Sequence, residues 1–97
     1  MIISFKDSGT RDIFDGNDTR EARHACPVEL WRSARKRLEA LDSAQTLQAL
    51  RAPSGNRLER LIGDRDGEYS IRINRQYRIC FWWTAKGPAQ VEIVDYH

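Results

Sequence analysis

Two rhythms of hydrophobic and polar residues divide the chain. In the first half apolar positions recur at helical spacing; in the second they alternate. The opening MIISF alternates weakly and is rich in Ile and Phe, which predicts a short first strand. GTRDIF has the length of about one or two helical turns. The polar, turn-rich run Asp15–Cys26 (DGNDTREARHAC) predicts an exposed loop. Pro27 suits the first position of a helix, where its missing N–H costs nothing. Trp31, Ala34, Leu38 and Leu41 then give that helix one buried face. Arg32, Arg35, Lys36 and Arg37 occupy its other faces and read as solvated. Asp42 or Ser43 is placed to cap a second, shorter helix through Leu47 and Leu50, which APSGN (Ala52–Asn56) breaks.

Beyond Asn56 the period shortens. RLERLI predicts a strand and GDRDG a turn. Tyr69, Ile71 and Ile73 alternate with Ser70, Arg72 and Asn74. A reversal at Arg75–Gln76 follows, without the Gly that tight hairpins favour. Tyr77, Ile79, Phe81 and Trp83 alternate with Arg78, Cys80 and Trp82, AKGP turns the chain, and AQVEIVDYH makes a last strand. Helices followed by consecutive strands predict an α+β fold, a mostly antiparallel sheet with the N-terminal helices packed on one face. Tyr69, Ile71, Ile73, Ile79 and Phe81 should face those helices. Arg72, Asn74, Arg78, Cys80 and Trp82 should share the opposite, uncovered face. Arginines beside an aromatic on a sheet face form a candidate surface for RNA phosphate and base; a solvated face with cross-strand ion pairs is the plainer alternative.

With 97 residues the chain makes one domain, 1–97, because a second core would be too small to sustain itself. No stretch approaches the roughly 20 apolar residues of a membrane span, and the start lacks a signal-peptide layout, so a cytoplasmic protein is expected. Cys26 and Cys80 stand far apart, which argues against a structural disulfide in that compartment. His24 and Cys26 make at most half a metal site, so neither metal nor cofactor is expected. Net charge is only +2, yet 13 of the 16 basic residues are Arg, the side chain suited to planar, bidentate phosphate contacts. Ser70–Trp83 carries Arg72, Arg75 and Arg78 and no acid, which localises basic surface on a nearly neutral protein.

The C-terminal half also carries a long ordered pattern. PSGNRLERLIGDRDGEYSIRINRQYRICFWW followed by VEIVDYH resembles the HigB branch of the RelE-type toxins, the plasmid maintenance killer proteins. The similarity begins at MIISF and is densest from Gly55 to His97. It implies a compact RelE-like α+β fold and a toxin that enters the ribosomal A site and cleaves the mRNA being translated. It also implies a cognate HigA-like antitoxin with a helix-turn-helix; toxin and antitoxin together bind operator DNA. No membrane partner is implied.

Cleavage of this type makes a ribose 2′-OH attack the adjacent phosphate. It needs a base, an acid for the leaving oxygen, and positive charge for the phosphorane, but no metal. The family motif maps to Asp95, Tyr96 and His97 at the terminus and to Arg78 in QYRI, where Arg78 would stabilise the phosphorane. His97 is the natural proton-transfer group, and Asp95 would orient it. On a regular strand Asp95 and His97 share one face while Tyr96 points to the other, so the three cannot all line one groove. Arg57, Arg60, Arg65, Arg72, Asn74 and Arg75 are candidate RNA-binding residues. One position departs from the pattern: Ile62 stands before the GD turn, where some active relatives have a lysine. Two other functions fit the same scaffold, a ParE-like gyrase poison and a non-catalytic RNA-binding regulator.

Overall fold

Helix boundaries follow local capping chemistry. The computed structural model describes residues 1–96. Helix α1 (Ser8–Asp15) starts at Asp7, whose carboxylate accepts from the Thr10 N–H at 2.7 Å. It stops at Gly16, whose left-handed φ of 83° lets its N–H return to the helix end. Helix α2 (Arg20–Ala25) starts at Thr19, whose hydroxyl accepts from the Ala22 N–H at 3.0 Å and donates to Asp12 at 2.6 Å. The segment expected to be an exposed loop is therefore largely helical, with Ala22 and Cys26 buried. Gly9 explains how so short a helix holds: a Cβ there would lie 2.3 Å from the Glu21 carbonyl oxygen, so only Gly lets α1 and α2 approach this closely.

Pro27 precedes a 3₁₀ turn, Val28–Leu30, which leads into α3 (Trp31–Ser43). Trp31, Ala34, Leu38 and Leu41 are all buried, as their spacing predicts. The basic faces of α3 are only partly solvated. Arg35 donates to the Ile13 carbonyl at 3.0 Å and Arg37 to the Arg72 carbonyl at 2.5 Å, while Arg32 and Lys36 are exposed. The shorter second helix is a 3₁₀ segment, Leu47–Arg51, capped by Thr46. Asp42 and Ser43 are not its caps: they complete α3, and Asp42 instead accepts from the Ile2 N–H at 2.8 Å.

The sheet has order β1-β2-β3-β4, all antiparallel: β1 (Glu59–Arg60), β2 (Tyr69–Arg72), β3 (Tyr77–Thr84) and β4 (Gly87–Asp95). The strand expected over RLERLI is reduced to β1. MIISF forms no regular strand of its own. It runs parallel to β4 through a Phe5–Val91 bridge, with Ile3 N–H to the Pro88 carbonyl at 2.7 Å. The glycine-free hairpin between β2 and β3 is closed by Asn74, whose side-chain oxygen accepts from the Gln76 and Tyr77 N–H groups at 2.9 and 2.7 Å. Ile71, Ile73, Ile79 and Phe81 pack with Ile13, Leu38 and Leu41 in the core, and Tyr69 packs against it. Thr10 ties the layers, donating to Asp7 at 3.1 Å and accepting from the Ile93 N–H at 3.0 Å. The result is the expected α+β, RelE-like arrangement. Among the described residues no helix is long and apolar enough to cross a membrane.

Candidate active site

Strand register decides which side chains meet on the sheet face away from the helices. Glu59 stands opposite Ser70, Ser70 opposite Cys80, and Cys80 opposite Glu92. One row along, Arg72 faces Arg78, and Arg78 faces Val94. Like charges set directly across a ladder repel, so each arginine needs other partners.

This face is not uncovered, as the alternation alone suggested. Ser70 and Cys80 are fully buried: β1 pairs beside Ser70, and the turn after it carries Arg65 over to Glu92 and Gly67 against the Trp82 ring. Arg65 anchors that cover, with Nη1 at 2.8 Å from Glu92 and 3.2 Å from Glu68. Its bond to Glu92 holds the Arg65 guanidinium above the ordinary arginine range, against the opposing effect of burial. Gly67, at φ 97°, lies beneath the half-exposed Trp82, where a Cβ would sit 2.6 Å from the indole ring. Burial pushes the Cys80 thiol up to about 11 despite the nearby Arg65, so it stays a protonated strand residue and not a nucleophile. Burial does the same to Cys26, also up to about 11.

Arg78 occupies the end of this face and is fixed at three points. Nε donates to the Ser70 hydroxyl at 2.7 Å, and Nη2 donates to the Arg57 carbonyl at 2.7 Å. Nη1 lies 3.6 Å from the Glu59 carboxylate. The side chain is only 11% exposed, so its charge is held in place instead of sweeping through solvent. A guanidinium has more N–H groups than these contacts use, and the remainder can meet an anion. The Tyr96 ring lies 5.9 Å from the Arg78 guanidinium carbon, within cation–π range. Partial burial raises the Tyr96 phenol above its ordinary range, so it remains a proton donor at neutral pH.

Up to Tyr96 the chain keeps its strand parity. The Tyr96 N–H donates to the Gln76 carbonyl at 2.6 Å, which holds it in the ladder and directs its ring to the Arg78 face. Asp95 pairs in register with Tyr77 and accepts from the Gln76 side chain at 3.1 Å. It lines a cavity of about 470 Å³ with Asp7, Glu21, His24 and Tyr77 on the helical side of the sheet. Arg78 and Tyr96 are therefore brought together, and Asp95 is separated from them by the sheet. His97 lies outside the described residues.

The candidate RNA-binding residues scatter. Arg57 is exposed, in a left-handed turn (φ 47°), and its backbone oxygen is what anchors Arg78. Arg60 pairs with Tyr69 and so stands on the other face, in a cleft with Leu47, Arg51 and Leu58. Arg65 is engaged by two carboxylates. Arg72 turns its Nε to the Asn74 carbonyl at 3.0 Å. Asn74 shapes the hairpin, and Arg75 is exposed at its tip. Next to Tyr96 runs a groove of about 580 Å³ lined by Glu59, Arg60, Leu61, Ile62, Asp64 and Arg65. Ile62 is 83% exposed in its wall. Sequence reading missed Ser70 and Glu59. The one available signal was an acid between two arginines in NRLER.

The family model that matches this chain, described as a RelE-like toxin of type II toxin–antitoxin system HigB, covers residues 3–97. The chain belongs to the HigB toxin family. Toxin HigB-1 of Vibrio cholerae serotype O1 is 38% identical over 98 residues, which span all of this chain and 98% of that protein. An uncharacterised protein of Haemophilus influenzae is 29% identical over 77 residues, covering 79% of this chain and 73% of its own length. As a HigB toxin of a type II system, the chain has an antitoxin as its partner.

Proposed function

We propose that this HigB toxin is a ribosome-dependent mRNA endonuclease that cleaves by transesterification without a metal ion. The observation that carries the reading is Arg78, a nearly buried guanidinium fixed by Ser70 and Arg57 with the Tyr96 ring beside it. A transition state that spreads charge over phosphoryl oxygens is best stabilised by a donor that needs no reorganisation. Arg78 takes the non-bridging oxygens. The 2′-OH attacks phosphorus, and the 5′-oxygen leaves with a proton supplied from the Tyr96–His97 end. Asp95, across the sheet, positions the terminal segment through Gln76 and Tyr77 and does not touch the phosphate. Exposed Arg32, Lys36 and Arg75 supply basic surface for ribosomal RNA, a contact that should weaken steeply with salt. A helix-turn-helix antitoxin neutralises the toxin in the cytoplasm, and the pair represses its own operator.

The test is inducible expression of the wild type beside Arg78→Ala and His97→Ala, with mapping of mRNA 5′ ends. New ends within translated frames, lost in both variants, are expected. Growth arrest with intact mRNA in all three strains would instead point to gyrase as the target.

A further inference from the structure

Many arginines of this chain are taken up within the fold. Arg23 meets Asp18, Arg65 meets Glu68 and Glu92, and Arg35, Arg37 and Arg72 donate to backbone carbonyls. Arg51 and Arg60 differ. Both are exposed, both line one cleft of about 300 Å³, and neither forms an ion pair among the described residues. No acid lines that cleft. Two cations set together without an anion repel, a cost that a bound anion removes. The capped turn Leu47–Arg51 supplies one guanidinium and strand β1 supplies the other, beside Tyr69. Between them the lining is apolar: Leu47, Leu58 and Tyr69 are half-buried and pack onto the core.

This lining suits a peptide better than a nucleic acid. Arg60 and Glu59 point to opposite sides of β1, and Glu59 meets Arg78, so a strand of RNA lying on Arg78 is on the other face. Single-stranded RNA is held by free aromatic faces. The one ring here, Tyr69, is already stacked on Phe81 at 6.3 Å, which leaves two leucines to meet a base. An amphipathic segment offers what the cleft lacks: carboxylates for the guanidiniums and an apolar residue, one helical turn along, for the leucines. We propose that the antitoxin docks in this cleft through such an acidic, amphipathic segment. The assignment follows from membership of the HigB family and does not depend on the nuclease reading.

The experiment is calorimetric titration of the purified toxin with its cognate antitoxin, at low and high salt. Wild type is compared with Arg51→Glu/Arg60→Glu and with Arg51→Lys/Arg60→Lys, and growth is followed with and without co-expressed antitoxin. Charge reversal should weaken binding by about 10²-fold or more and remove most of its salt dependence. The lysine pair keeps the charge but not the planar fork, so its affinity should fall between the two. Expressed alone, the reversed toxin should still arrest growth, and the antitoxin should restore growth to wild type only. Both arginines are exposed, so the melting temperature should hold. If it does not, Gln48→Cys carries the test. It places a thiol in the cleft wall while Cys26 and Cys80 stay buried, so a maleimide marks that site alone, and bound antitoxin should block the labelling. Wild-type affinity in the reversed toxin, or free labelling of Gln48→Cys in the complex, would overturn the proposal. Loss of growth arrest with antitoxin affinity unchanged would also overturn it, by making the cleft a contact for ribosomal RNA. None of these readouts depends on how the toxin arrests growth.

Discussion

The two faces of the sheet are built by different physics. Toward the helices lie Ile71, Ile79 and Phe81, fully buried against α1 and α3, where order is enforced by exclusion of water. Away from them lie Ser70, Cys80, Arg78 and Glu92, where order comes from directed bonds among charged groups and a folded-back segment. The first face tolerates change in proportion to the volume removed. The second depends on individual donors and acceptors, because a buried charge that loses its partner keeps its desolvation cost. A shared backbone thus carries one face held by apolar packing and another held by directed contacts among charged groups.

That contrast can be broken from either side. The largest effect expected is on the apolar face: Phe81→Ala should cost about 3–5 kcal/mol of unfolding free energy in a denaturant titration. On the charged face, Arg78→Lys should lower mRNA cleavage by about 10²–10³-fold. A lysine cannot reproduce the Ser70 and Arg57 anchors together, yet the melting temperature should shift far less than for Phe81→Ala. Glu92→Ala removes the acceptor that holds Arg65 at 2.8 Å. It should cost about 1.5–3 kcal/mol, the range for hydrogen bonds to charged groups. Cleavage should fall as well, because the cover behind Arg78 loosens. The smallest effect is alkaline. Both thiols have an ordinary value of 9.0, raised by burial to about 11. Between these values the unfolded chain releases protons that the folded chain retains, so stability is intact below about pH 9 and falls as pH rises through about 11. Cys26→Ala and Cys80→Ala should each flatten that fall in melting curves taken across the window.

The apolar face was readable because a period of two survives in any sequence that buries one side of a strand. Trp31, Ala34, Leu38 and Leu41 were equally readable at helical spacing. Helix α2 was not, since its buried surface is little more than Ala22 and its stability comes from the close approach at Gly9. At the candidate site, the motif singled out Arg78 and Tyr96, and parity parted Tyr96 from Asp95, as the strand register has it. The neighbours of Arg78 were not, because the Arg57 carbonyl is a backbone group that no side-chain pattern marks. Ser70 and Glu59 reach Arg78 through the register of neighbouring strands, which no side-chain pattern prints. The engagement of Arg65 by Glu68 and Glu92 was hidden for the same reason: one partner is local, and the other lies 27 residues away.

Arg57, whose carbonyl receives Arg78, closes the turn Ser54–Asn56 through its own N–H, which donates to the Ser54 carbonyl at 3.2 Å. The Asn56 side chain in turn donates to the Leu50 and Ala52 carbonyls at 3.2 and 3.3 Å. The aim of the guanidinium is thereby geared to an outlying stretch of chain. Whatever grips residues 50–57 from outside handles the far end of a lever whose near end is that guanidinium.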